Sequence, residues 1–401
     1  MSATKAERAA PSGRKLILFI HGGNSIDTET ATFVRRGFAE HGYELEDLSV
    51  IAPNAADRLH SLLRNRGQEL FFFCSSNFWA INIHNNGRLL HTLTGIPLVI
   101  LMHDHPVYFL HQLSPSLDGA LIFAPSGDLA EFITKHYPIA VKTVANTGVF
   151  PPDNNAKRPP DLEQFLAREN VLLCPMNLTV HGQTIDDIRQ GIRALPEPRR
   201  ARTMRLIEAG LTECFTPLHV ISENLTAAGD AEIEVEDLAW AFNYIKLWRR
   251  RWLIEALIDL PICVTSEYVP AELARKYSRK FGKPLTMTET LPLYAKYRFV
   301  VNSSAMNAIH DRVTQALINN AVCITDPNPT IARYFTDGRE MVFVDYGRTD
   351  LAERISRLIE NPERAFEMTV QSYAVWNQPG FYQGSYRDLL DAVAAHVNST
   401  A

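Results

Sequence analysis

The chain has 401 residues, with 40 Lys+Arg against 45 Asp+Glu for a net charge of −5. That length is more than one hydrophobic core usually serves and favours two domains, and the slight acidity excludes global attraction to nucleic acid. Five cysteines without a C-x-x-C pair exclude a disulfide framework and a zinc knuckle, and fit a reducing cytoplasm.

Residues 1–14 read as a polar tail that lacks the apolar core of a signal peptide. No apolar run approaches the length of a membrane span. KLILFI (15–20) is a short apolar run bounded by turn signals, as a buried parallel strand should be. His21-Gly22-Gly23-Asn24-Ser25 follows at once, and a helical pattern starts near Asp27 with Phe33, Val34 and Phe38 on one face. A glycine turn there lets backbone N–H groups approach a ligand, and it also serves as a plain tight connection. His-Gly-Gly after a strand suggests an esterase oxyanion loop, but Ser75, Ser126 and Ser303 lack the flanking glycines of a nucleophile elbow.

Further strands are predicted at 70–74, 97–102, 119–123 and 139–144, alternating with helices, which makes a doubly wound parallel sheet. His103-Asp104-His105-Pro106 stands at the end of the 97–102 strand. An acid/base or hydroxyl-binding group belongs at such a place, as does a simple turn closed by Asp104. Residues 150–163 (FPPDNNAKRPPDLE) are rich in proline and charge and mark a linker. The expected layout is a domain over 15–150, a linker over 151–165, and a second domain over 166–375. A final helix within 376–401 rejoins the first domain.

The second half restarts with the strand VLLCPM (171–176), followed by helical stretches near 184–210 and 233–258. Trp248-Arg249-Arg250-Arg251-Trp252 lies in the latter and reads as a solvated helix side, its arginine stems lying along the surface. PICVTS (261–266), YRFVVNSS (297–304), AVCITD (321–326) and MVFVDY (341–346) form the second sheet, and each ends in polar residues such as Asn302 and Asp326. Between two of these strands His310, Asp311 and Arg312 open a helix. Ligands of open α/β sheets sit beyond the carboxyl ends of the strands, where helix N-termini aim N–H groups. An arginine and a histidine in a first turn oppose the helix dipole and gain from a nearby anion. The segment reads as a phosphate-side site, or else as an ordinary crossover with a solvated arginine.

Two such halves with a returning terminal helix resemble the GT-B glycosyltransferases. More narrowly, IHDRVTQALINNAVCITDPNP with FTDGREMVFVDYGRTDLAERISRLIENPE is similar to the group-1-like, CgeB-type domain found with spore-maturation proteins. The resemblance implies two Rossmann-like domains facing a cleft and sugar transfer from a nucleotide-sugar donor held by the second domain. The acceptor, a glycan, a lipid-linked group or a protein, is held by the first, with neither metal nor other cofactor. Peripheral membrane contact is compatible with that role. Arg312 and His310 then meet the diphosphate, with Asp311, Asn302, Asp326, Glu340, Gly22 and Gly23 as further donor-side candidates. Asp104 is the expected base or acceptor-orienting group, with His105 and His21 as rivals. Asn307 and Gln315 occupy positions where the wider family commonly has glutamates, and Asn320 stands where a glycine usually follows the helix. The alternatives are a nucleotide-sugar epimerase on the same fold and a non-catalytic nucleotide-sugar-binding or assembly protein.

Overall fold

The computed structural model describes residues 13–23, 25–113, 117, 119–137, 139–143, 158–229, 233–378, 381 and 385–400. Residues 1–12 of the expected tail and 151–157 of the expected linker lie outside this set. The chain forms two compact units, Met1–Pro151 with Pro379–Ala401 and Pro152–Gln378.

The first unit holds β1 (Leu16–His21), β2 (Glu44–Ser49), β3 (Leu70–Ser76), β4 (Leu98–Leu101), β5 (Leu121–Ala124) and β6 (Ala140–Thr143). They form one parallel sheet in the order β2-β1-β3-β4-β5-β6. Every residue of β1 and β3 is buried, as continuous apolar runs covered on both faces require. The sequence reading missed β2. Its ELEDLS buries only Leu45 and Leu48, because an edge strand keeps charge outward. Its Glu44 and Glu46 pair with Arg66 of α2 (Ala55–Arg66). Two other helices of this unit are α1 (Ser25–Ala39) and α3 (Gly127–His136).

The second unit holds β7 (Glu169–Cys174), β8 (Ile262–Thr265), β9 (Phe281–Gly282), β10 (Tyr297–Asn302), β11 (Val322–Thr325) and β12 (Val342–Phe343). Their order is β9-β8-β7-β10-β11-β12, again all parallel. The direction of winding therefore reverses between β7 and β10. Helices α4 (Glu197–Thr212), α5 (Val235–Leu257), α6 (Asp311–Ile318), α7 (Leu351–Glu360) and α8 (Pro362–Trp376) belong here. The stretch expected as helix over 184–210 breaks at Leu195-Pro196, since proline has no N–H to continue a helix. After α6, Asn320 takes φ +50°, the left-handed conformation expected of its position.

One expectation for α5 fails. Arg249 and Arg250 are 6% and 4% exposed, and only Arg251 lies on the outer side, paired with Glu255 and Glu272. The reason is the helical period. Ile245 and Leu253 flank Arg249, while Leu247 and Ile254 flank Arg250, so both arginines sit on the buried stripe.

The terminal helix α9 (Ser385–Thr400) belongs to the first unit. Tyr386, Leu389 and Val393 join Val34, Phe38 and Phe72 in one core. The Tyr386 ring sits so close to α1 that a Cβ on Gly37 would come within 2.4 Å of it, so only glycine fits there.

Candidate functional site

In the second unit, polar residues gather where the carboxyl ends of β7, β8 and β10 emerge. Arg250 reaches there from α5. Its Nε donates to the Ser303 carbonyl at 3.1 Å and its Nη1 to the Asn177 carbonyl at 2.8 Å. Asn177 in turn accepts the Glu267 amide on its Oδ1 at 3.3 Å. The loops after three neighbouring strands are thereby tied together at the reversal of strand order, where open α/β sheets bind ligands.

The loop after β10 is held from its other side by Asp326, which is 3% exposed. Its carboxylate accepts Ser303 Oγ at 2.8 Å, the Ser304 amide at 3.0 Å, the Ala305 amide at 3.3 Å and the Tyr346 hydroxyl. Burial, and then Asp326 itself, push the Tyr346 hydroxyl well above its ordinary value, so it stays a donor. Ala305 is left-handed at φ +53°, a conformation that costs a non-glycine residue roughly 1–2 kcal/mol. Strain of this kind persists only where surrounding bonds impose it, and the two amides bound to Asp326 do so here.

That loop delivers the chain to α6. His310 is the N-cap, and its Nδ1 accepts the Arg312 amide at 3.3 Å, while Asp311 Oδ1 accepts the same amide at 2.9 Å. Burial draws the His310 imidazole below its ordinary value, against the pull of the adjacent Asp311. Burial works to raise the Asp311 carboxyl, but His310, followed by Arg312, overcomes it and holds Asp311 below the usual carboxylate range. Arg312 Nη1 donates to Asn302 Oδ1 at 2.9 Å, and Asn302 Nδ2 donates to Thr325 Oγ1 at 2.9 Å. The structure thus brings together Asn302, His310, Asp311, Arg312 and Asp326 from the sequence-predicted set. Asp326 serves as the clamp of the loop.

Other candidates lie elsewhere in this unit. The Asn307 carbonyl accepts Thr330 Oγ1 at 3.2 Å, and Gln315 is buried on α6 with its carbonyl accepting the Asn319 amide at 3.1 Å. Glu340 precedes β12 and so belongs to the amino-terminal edge, where its Oε2 accepts the Thr336 amide at 2.8 Å and closes that turn. A cavity of about 260 Å³ also opens on the amino-terminal edge, lined in part by Arg158, Arg168, Asn319 and Asn320. It lies at the far end of α6 from the cluster. We place the site at the carboxyl edge because the helix N-terminus and the order reversal are there.

In the first unit, His21 ends β1 and is buried, its Nδ1 accepting the Gly23 amide at 3.0 Å and its Nε2 lying 3.6 Å from Asp47 Oδ2. Gly22 is buried beside it. Gly23 has φ +80°, and a Cβ there would lie 2.2 Å from Ser49 Oγ, so the turn requires glycine. Two strands away, exposed Asp104 follows β4 and accepts Asn77 Nδ2 at 3.1 Å, while Asn77 Oδ1 accepts the His103 amide at 2.8 Å. His105 is buried, caps the next short helix through the Val107 amide at 3.2 Å, and meets Phe132 of α3 edge-on. β3 lies between the His21 and Asp104 groups.

The residue of this cluster that sequence reasoning placed in solvent is Arg250, which is buried and bonded to two loops. Its signal was available, since apolar residues three and four positions away on either side give its helix face as buried.

Two six-stranded parallel sheets, each with a reversal of winding, with a terminal helix returned to the first unit, define the GT-B fold. The profile of the family described as "Glycosyl transferase-like" matches residues 249–378, which include Arg250 and the whole β10–α6 cluster. The chain thus has the GT-B fold, and about a third of it is similar to the glycosyl transferase-like family. Among solved structures it is similar to Anabaena HepE in complex with UDP-glucose, at 14% identity over 96% of this chain and 99% of that one, with a TM-score of 0.54. It is also similar to sucrose-phosphate synthase from Thermosynechococcus elongatus, at 10% identity over 96% and 98% of the two chains, with a TM-score of 0.52. No curated protein matches the sequence. Among the described residues, no helix is long and apolar enough to cross a membrane.

Proposed function

We propose that the chain transfers a glycosyl group from a nucleoside-diphosphate sugar to an acceptor hydroxyl, without a bound cation. The second unit takes the donor and the first the acceptor. The carrying observation is the cluster of Arg312, Asn302, His310 and Asp311 at the start of α6, inside the segment that matches the glycosyl transferase-like profile. In the reaction the bond from the sugar's anomeric carbon to the diphosphate oxygen breaks, and a bond to the acceptor oxygen forms. Arg312 offers a forked, permanently charged donor to the departing diphosphate, and such preorganised charge is the main lever on this kind of step. Exposed Asp104 suits the acceptor side, as base or as orienting group, with His105 and His21 as rivals.

HepE was solved with UDP-glucose, so uridine-diphosphate sugars are the first donors to test. The narrower CgeB-type assignment rests on the IHDRVTQALINN and FTDGRE motifs. The test is thermal stabilisation by a panel of nucleoside diphosphates, followed by product detection with the matching sugar nucleotides. Arg312→Ala should weaken diphosphate binding by about tenfold to a hundredfold, the worth of a charge-assisted pair. An unchanged dissociation constant removes the phosphate assignment.

A second reading keeps donor binding without transfer. Its support is that Asn307 and Gln315 carry amides where the family commonly has glutamates, and an uncharged acceptor grips a hydroxyl less tightly by about 1 kcal/mol. Donor saturation with no product from any acceptor class favours it. An isomerised sugar nucleotide from donor alone indicates an epimerase.

A further inference from the structure

We infer that Arg250 is a positioning residue for the donor diphosphate, an inference that rests on the function proposed above. It acts through the loops that Asn177 and Ser303 begin, on either side of the strand-order reversal. A buried guanidinium in mid-helix is costly unless its N–H groups find acceptors, and two of its acceptors here are main-chain carbonyls from different strand ends. Bonds to two backbones fix the separation of those backbones, which is what a site for a bridging diphosphate needs. The Ser303 end is fixed twice, since Asp326 holds the same residue's hydroxyl and the next two amides. From there the chain runs through left-handed Ala305 to the N-cap of α6, so the position of Ser303 sets the aim of the amides that follow.

The charge of Arg250 also reaches this place, because its field disfavours the imidazolium of His310. Arg249 is set apart. It donates to the Gly210 carbonyl at 3.0 Å and lies over the Tyr346 ring, thereby supporting α4 and the aromatic cluster of Trp248, Trp252 and Tyr346. Adjacent arginines on one helix thus have separate tasks, and only Arg250 touches strand-end loops on both sides of the reversal. A lysine in its place keeps the charge but lacks the fork that spans two carbonyls.

The test uses the full chain and its Arg250→Met and Arg250→Lys variants, titrated calorimetrically with UDP, GDP and ADP and with the corresponding nucleosides. We expect Arg250→Met to weaken binding of the preferred diphosphate about tenfold or more, while its nucleoside changes within about twofold. Arg250→Lys should fall between. A merely structural arginine predicts equal losses for diphosphate and nucleoside, and that result, or wild-type diphosphate affinity in Arg250→Met, overturns the inference. Should Arg250→Met fail to fold by circular dichroism, Arg250→Lys decides by the same ratio. A wild-type chain that binds none of the three diphosphates removes the proposed function itself, which is a distinguishable result.

Discussion

The carboxyl edges of the two sheets are built differently although the sheets share one architecture. In the second unit the edge is a lattice of buried Asp326, Tyr346, Ser303 and Arg250, which reaches out to exposed Asn177 and holds the loops between them. In the first unit the edge is lighter. His21 and His105 each accept one nearby amide, and Asp104 stands exposed with Asn77 as its partner. Buried networks of charge-assisted bonds are rigid and intolerant of loss, whereas exposed pairs contribute little to stability and move easily. The difference agrees with the proposed division of labour, with the diphosphate held at the rigid edge and the acceptor at the lighter one.

The contrast can be broken most directly at its rigid end. Asp326→Ala removes the acceptor shared by the Tyr346 and Ser303 hydroxyls and the Ser304 and Ala305 amides, at about 1–3 kcal/mol for each group left unpaired in the interior. We expect a loss of about 3 kcal/mol and a fall of roughly 6–12 °C in the melting temperature of the second unit, read by calorimetry. Asp104→Ala at the lighter edge, which loses the exposed bond from Asn77, should cost under about 1 kcal/mol. Equal losses at the two positions would erase the distinction.

Asp104→Asn sharpens the other side. If Asp104 takes the acceptor proton, turnover should fall about a hundredfold or more, with donor affinity and melting temperature unchanged. A fall in donor affinity would move Asp104 out of the acceptor role.

The smallest effect concerns acid. His310 has its folded value drawn down by burial, so the unfolded chain binds the proton more readily. Stability is then full above about pH 6.5 and declines as the pH falls below it. Asp311, held below the usual range, adds a further loss only below about pH 4. Melting temperatures taken from pH 7.5 to 5.5 should decline, and His310→Asn, which keeps an N-cap, should flatten that slope. A slope the same in both proteins would remove His310 as its source.

Much of this was readable before any coordinates. Continuous apolar runs marked the central strands because parallel strands are covered on both faces, and polar residues at their ends marked the edge that carries the cluster. β2 escaped because an edge strand carries charges that period and hydrophobicity take for a loop. Arg249 and Arg250 escaped because a run of three arginines suggests water. Neighbours at helical spacing did mark their face as buried, but the carbonyls that satisfy Arg250 lie 53 and 73 residues away in the chain, which no local pattern displays. Glu340 shows the converse, a polar residue singled out by its motif whose carboxylate closes its own turn.

The return of α9 has a consequence for biosynthesis. Tyr386, Leu389 and Val393 complete the interior of a unit whose other residues are translated before residue 152. On the ribosome the aromatic face of Phe38 and Phe72 therefore waits, uncovered, while the whole second unit is made and folds. Nascent chains stalled just past Gln378 should expose that face to chaperones, and release of the last helix should hide it.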